Sequence, residues 1–364
     1  MRHSVDTPFL LISGILVIFG LLIFTSAAMG LLARGGASFS SVAISQVLLG
    51  FVGGGIALAV IANLDYRAWR KWTPYFFILS LFLTALTLTP LGLSLKGASR
   101  WLTLGPLSFQ PVELLKFSTV ALLAALFAAR ARDIQTFKAS MVPFLLVLGS
   151  AAGILLLQPD THGVVMICIA GAAMLYAAGG RVSYLAGLVF IGIILIGALA
   201  LYRPYLRARF ETFLNPSADA LGAGYQTQQS LVAIGSGGMW GRGFGQSMEK
   251  FSYLPEPMDD SIFAVAGEEF GFIGSTLLVL LFAAFALLGL RIAARSPDAF
   301  GSLLVVGVIV LIAGQSFLNI GTAVGIVPLS GLPLIFVSHG GTALAIALAE
   351  VGVVLSVSRR MKQA

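Results

Sequence analysis

Ten apolar runs follow one another along this chain, near 9–29, 44–62, 74–90, 112–128, 140–157, 163–179, 184–202, 270–290, 301–320 and 340–357. Each approaches the roughly 20 residues that a helix needs to cross the bilayer hydrocarbon. The expected fold is therefore an all-α integral membrane protein, a single polytopic domain over residues 1–364 with ten transmembrane helices. Composition agrees: 58% of residues are hydrophobic and 10% charged, where soluble domains carry roughly 25% charged residues. The first run is long enough to span and lacks a small-residue cleavage site, so it is read as a span rather than a signal peptide. Cys168 stands alone inside the sixth run and is read as a small packing residue.

A net charge of +7 would suggest a nucleic-acid partner in a soluble protein. Here the placement of the cations supplies a simpler cause, and no nucleic acid is expected. With both termini in the cytoplasm, the inner side holds thirteen cations: Arg2, Arg67, Arg70, Lys71, Arg130, Arg132, Lys138, Arg181, Arg291, Arg295, Arg359, Arg360 and Lys362. The short outer loops hold three, Arg34, Lys96 and Arg100. Positive charge in short loops favours the cytoplasmic side. This sets the orientation, with both termini cytoplasmic, and turns the long connection between spans seven and eight outward.

That connection, residues 203–261, is the one long polar passage, and it holds six of the fifteen acidic residues: Glu211, Asp219, Glu249, Glu256, Asp259 and Asp260. It also carries Tyr225, Trp240, Phe244, Phe251 and Tyr253, whereas disordered segments are poor in aromatics. It is read as an ordered cap carrying much of the chemistry. Arg203, Arg207 and Arg209 suit either anionic lipid head groups or a phosphorylated substrate. The run Gly235–Gly245 lacks the Gly-Lys-Ser/Thr ending of a nucleotide loop; it either turns N–H groups toward an anion or allows tight turns. Asp259 and Asp260 precede span eight, with Glu268 and Glu269 one to two turns deeper, more carboxylates than a helix cap requires.

A second outward stretch, 96–116, joins spans three and four. Trp101 and Phe109 suit an interfacial segment, and Glu113 and Lys116, at i and i+3 after Pro111, share a helix face. Asp160 and His162 could ligate a metal, but a hydrogen-bonded helix end is the better reading. The glycines and prolines of 321–341 suggest a re-entrant or broken segment buried in protein. Gln315 and Asn319, one turn apart, could line a cavity, and Gly53-Gly54-Gly55 allows close helix packing.

Taken together, GASRWLTLGPLSFQPVELLK, LLLQPD, the loop GYQTQQSLVAIGSGGMWGRGFGQS, EKFSYLPEP, DSIFAVAGEEFGFIG and GIVPLSGLPLIFVSHGG resemble the SEDS family of cell-shape and division proteins. The loop looks like that of the division-type member rather than the elongation type. The resemblance implies a peptidoglycan glycosyltransferase that joins lipid II into glycan strands outside the cytoplasmic membrane. A class B penicillin-binding protein, other division proteins and membrane lipids are the implied partners. It places the family's essential aspartate on Asp260, as catalytic base. Arg100, Trp101, Gln110, Glu113, Lys116, Asp160, Arg209 and Lys250 fall on implied substrate-binding positions. This reading names no cofactor beyond a divalent cation, Mg or Mn, which it leaves open. The chain departs from the family pattern at Val112, Asp259, Ser261, His162, Ile335, His339 and Thr342. A lipid II flippase and a scaffold for division enzymes are the competing classes, and an elongation-type polymerase is the alternative within the family.

Overall fold

A computed structural model describes residues 5–33, 42, 44–95, 98–104, 107–202, 204–215 and 224–361. Of the residues singled out above, Arg2, Arg34, Lys96, Arg203, Asp219 and Lys362 lie outside them.

Each of the ten apolar runs lies in a helix. These are α1 (Thr7–Ala33), α2 (Ser45–Asn63), α3 (Tyr66–Leu86), α4 (Pro111–Ala129), α5 (Phe137–Leu157), α6 (Thr161–Ala177) and α7 (Val182–Tyr202), followed after the long connection by α11 (Ile262–Ala294), α12 (Ala299–Ala323) and α13 (Gly341–Ser358). Among the described residues, eight are long and apolar enough to cross a membrane. The other two are α6, apolar but shorter, and α3, which opens on the polar and cationic YRAWRKW. Helix starts follow local chemistry. Asp65, Thr136, Asp160 and Asp298 each accept a backbone N–H of the first turn, and Pro111 opens α4 where no N–H is needed.

The centre of the bundle is α4, α12 and α13, buried on most faces. By contrast α7 buries no residue and stands at the periphery, its apolar surface suited to lipid rather than to a protein neighbour. Helix α2 lies close against α13: a Cβ on Gly54 would sit 2.8 Å from the Cα of Ala345, whereas Gly55 faces open space. Cys168 is exposed on α6, so it faces away from the bundle and does not serve as a packing residue.

The stretch between α3 and α4 is a small antiparallel sheet rather than a featureless interfacial segment. Strands β1 (Gly92–Leu95), β2 (Ala98–Leu104) and β3 (Leu107–Phe109) pair in that order, with Leu93 opposite Trp101 and Leu102 opposite Phe109. Leu102 lies on one face of β2 and Trp101 and Thr103 on the other, as strand periodicity dictates.

The long connection is ordered where described, as α8 (Pro204–Leu214), α9 (Tyr225–Ser236) and the single turn α10 (Glu249–Ser252). The segment after α12 is irregular yet buried from Leu334 to Ser338, as its glycines and prolines led us to expect. Helix α1 touches it directly, since a Cβ on Gly20 would lie 2.2 Å from the Phe336 carbonyl oxygen.

Candidate active site

Where described, the segments around Arg100, Asp160, Arg209 and Asp260, read as outward, come together at one end of the bundle. At the other end Asp6 pairs with Arg291, Asp298 with Arg67, and Asp65 with Arg360.

Asp260 sits in a tight turn before α11 that is held by its backbone. Within the turn the N–H groups of Asp259 and Ser261 donate to the Glu256 carbonyl at 3.1 and 3.3 Å. From outside, Asn319 Nδ2 donates to the Asp260 carbonyl (2.9 Å) and to that of Leu332 (2.7 Å). Ser338 Oγ donates to the Asp259 carbonyl (2.5 Å), and the His339 N–H to that of Met258 (2.7 Å). With its main chain fixed in this way, the Asp260 side chain is left to the site. Its Oδ1 is buried without a hydrogen-bond partner among the described residues. Oδ2 borders a gap at Gly331, where a Cβ would lie 3.7 Å from it and 3.9 Å from Arg209 Nη2. Burial pushes the Asp260 carboxyl up to about 6; the charges of Asp259 and Glu256 add to this, and a hydrogen bond from Gln226 opposes it. A carboxylate so placed is ionised at neutral pH and basic enough to accept a proton.

Arg209, on α8, extends the site toward α6. Its guanidinium meets His162, and Asp160, the N-cap of α6, lies 4.0 Å from Arg100 Nη2, which donates to the Pro159 carbonyl at 2.7 Å. The Asp160–His162 reading as a helix end thus describes its geometry. Trp101 follows in β2 and Gln110 at the N-cap of α4, both half-buried. A cavity of about 110 Å³ adjoins Arg209, with Thr212, Phe213, Thr227 and Leu231 on one side and Val324, Val327 and Leu329 on the other.

Glu113 and Lys116 are a buried pair at 2.7 Å. Lys116 also donates to Gln315 Oε1 at 2.8 Å, and Gln315 Nε2 donates to the Pro333 carbonyl at 3.1 Å. Gln315 follows a π-helical turn, Val310–Gly314, a feature frequent at functional sites. The pair therefore reaches Asp260 through the segment that also carries Leu332. Glu350, on α13, lines the same small cavity of about 10 Å³ beside Glu113 and Lys116. It went unnoticed in the sequence, although a carboxylate inside an apolar run is itself a signal.

Lys250 has a different set of neighbours. Fully buried, it donates to Glu269 Oε1 (2.6 Å), Ser26 Oγ (2.8 Å) and the Gly245 carbonyl (3.0 Å). Glu268 accepts from Ser247 Oγ at 2.6 Å and from the N–H groups of Met248 and Glu249. The two glutamates therefore anchor the loop, and their side chains are committed within it. The glycine run has the matching role. At Gly271 (φ 65°, ψ −164°) helix α11 breaks, a conformation open to glycine alone. The carbonyls of Glu268 and Glu269 then accept from the N–H groups of Arg242 and Gly243, each at 3.0 Å. A Cβ on Gly241 (φ 81°) would lie 2.1 Å from the Glu269 carbonyl oxygen. The run thus turns its amides to backbone, not to an anion.

Among the described residues no three His, Cys, Asp or Glu side chains are grouped to hold a metal ion.

The profile of the "Cell cycle protein" family that groups FtsW, RodA and SpoVE matches residues 6–363. The chain belongs to the SEDS family. Among SEDS relatives, stage V sporulation protein E of Bacillus subtilis (strain 168) is 42% identical over 310 residues, 84% of each chain. A probable peptidoglycan glycosyltransferase FtsW of Geobacter sp. (strain M18) is 35% identical over 363 residues, 99% of this chain and 98% of that one. In structure, a chain of a peptidoglycan synthase complex described as coordinating polymerization and crosslinking is similar with a TM-score of 0.75 at 27% identity, covering 94% of this chain and 96% of the other. The rod shape determining protein RodA of Thermus thermophilus is similar with a TM-score of 0.67 at 26% identity, covering 96% and 97%. These SEDS likenesses span nearly the whole chain and agree with the predominantly helical membrane fold.

Proposed function

We propose that this SEDS protein is a peptidoglycan glycosyltransferase that polymerises lipid II on the outer face of the bacterial cytoplasmic membrane, for septal wall synthesis. The observation that carries the reading is the Asp260 carboxylate. One oxygen is unpartnered, its proton affinity is raised, and it faces Arg209 across a gap kept open by Gly331. The family's transfer converts an α-linked lipid diphosphate into a β-linked glycan, so it inverts at carbon one. The acceptor hydroxyl oxygen forms the new bond to that carbon as the bond to the diphosphate oxygen breaks. Asp260 takes the hydroxyl proton, and the diphosphate leaves with its negative charge and needs no acid. One carboxylate thus suffices, half of the glycosidase arrangement. Arg209, across the Gly331 gap from the base, suits the developing diphosphate charge. Arg100, Trp101, Gln110 and Asp160 line the same end. Glu113, Lys116 and Lys250 support it from inside the bundle.

Ten spans with both termini cytoplasmic place this end outward. A class B penicillin-binding transpeptidase would act on the strands made here, as polymerization and crosslinking are joined in the related complex. Polymerisation of purified lipid II by the isolated protein, with and without that partner, tests the reading. Activity lost in Asp260→Asn while lipid II binding persists supports it. A protein that binds and translocates lipid II but forms no glycan in any background would be a flippase.

A further inference from the structure

Beside Asp260 lies a second acid–base pair that the transfer above does not use. His339 Nδ1 is 3.4 Å from Asp259 Oδ1. The same histidine donates its backbone N–H to the Met258 carbonyl at 2.7 Å, and its neighbour Ser338 donates Oγ to the Asp259 carbonyl at 2.5 Å. The imidazole stacks on Phe24 of α1, with centroids 6.3 Å apart and planes 21° from parallel. Its other nitrogen, Nε2, is buried without a hydrogen-bond partner among the described residues. Geometry assigns Nδ1 as the nitrogen that carries a proton toward Asp259.

We propose that His339 is a positioning residue for Asp260: through Asp259 it clamps the 258–260 turn and sets the charge that Asp260 faces. The proposal rests on the reading of Asp260 as the base. Two adjacent carboxylates each disfavour ionisation of the other, and Asp259 is the leading charge acting on Asp260. An Nδ1 proton held 3.4 Å from Asp259 Oδ1 offsets part of that carboxylate's charge, and Asp260 then stays ionised to lower pH. Among the described residues, the groups around the pair are Asp260 and Glu256 in its own turn, Arg209 of α8 across Gly331, Phe24 of α1, and Gln46 of α2, which is bonded to Ser338 and Gly340. Of these only Arg209 is a cation, and it faces Asp260 on the other side.

The test is the pH dependence of lipid II polymerisation by the full-length protein. It compares wild type, His339→Gln, Asp259→Asn and the double variant, with Asp260→Asn alongside. His339→Gln should move the acid limb of kcat/KM upward by roughly half a pH unit, the effect of one nearby charge in a partly screened site. Asp259→Asn should move it downward. The double variant should behave as Asp259→Asn alone, because His339 acts through that carboxylate. His339→Asn repeats the measurement should the glutamine variant fail to fold. A limb that stays in place while the rate falls at every pH would make His339 merely structural and overturn the proposal. So would a shift that persists in full without Asp259. If Asp260→Asn keeps polymerising, the base assignment itself falls, an outcome read independently of the histidine.

Discussion

At the scale of single residues, the site is a carboxylate kept uncomfortable. The Asp260 carboxyl is raised to about 6 from its ordinary 3.8, so the folded state holds its proton more tightly than the unfolded chain does. The stability this contributes is present at pH below the unfolded value and is lost as pH rises through about 6. At neutral pH Asp260 therefore destabilises the fold by up to about 3 kcal/mol. Asp260→Asn should melt higher than wild type near pH 7 while losing at least ~100-fold in polymerisation; melting curves beside a lipid II assay check both. The same carboxyl predicts an acid limb near pH 6 in kcat/KM. Gly331→Ala puts a methyl into the gap between Asp260 and Arg209 at ordinary contact distances. It should cut kcat/KM by more than the ~1–2 kcal/mol of strain at φ 62° takes from stability.

Among the elements, the glycine run and the broken start of α11 fit as two halves of one joint. Gly271→Ala would bring a Cβ within 2.3 Å of the Gly241 nitrogen, so expression and thermal melting should show a loss beyond the ~1–3 kcal/mol of backbone strain. Lys250→Met leaves Glu269 buried and unpaired, which should cost about 3–5 kcal/mol. Neither feature was legible in the sequence. A glycine inside an apolar run ordinarily continues a helix, and nothing local tells that Gly271 leaves it. Lys250 and Glu269 lie on separate elements, so their pairing is decided by tertiary packing. The sheet went unrecognised because Trp101 and Phe109 read equally well as interfacial anchors. Nor does β2, with Arg100 on the parity of Leu102 and Trp101 on that of Ser99 and Thr103, show the clean two-residue alternation that marks a strand. Glu113 and Lys116 were visible as a helical pair, while their bond to Gln315 and the approach of Glu350 required α12 and α13 to be in place.

For the whole molecule, the apolar runs were the strongest message, and every one became a helix because length and hydropathy decide that outcome in lipid. The proposed orientation rests on charge. In a Cys168→Ala background, Ser236→Cys should react with an impermeant thiol reagent from outside and Arg132→Cys only from the cytoplasmic side. The reverse pattern would place Asp260 inside and remove the proposed function. The joint between loop and α11 also bears on motion. Amides of Arg242 and Gly243 are bonded to main-chain carbonyls of a membrane helix, while carboxylates of that helix grip Ser247 to Glu249. This half of the outer cap cannot lift without breaking α11. Its amides should exchange with solvent deuterium only as slowly as the bundle itself opens. On the proposed function, a lipid-linked sugar would reach Asp260 past α8 and α9, with the glycine run as a fixed wall beside them.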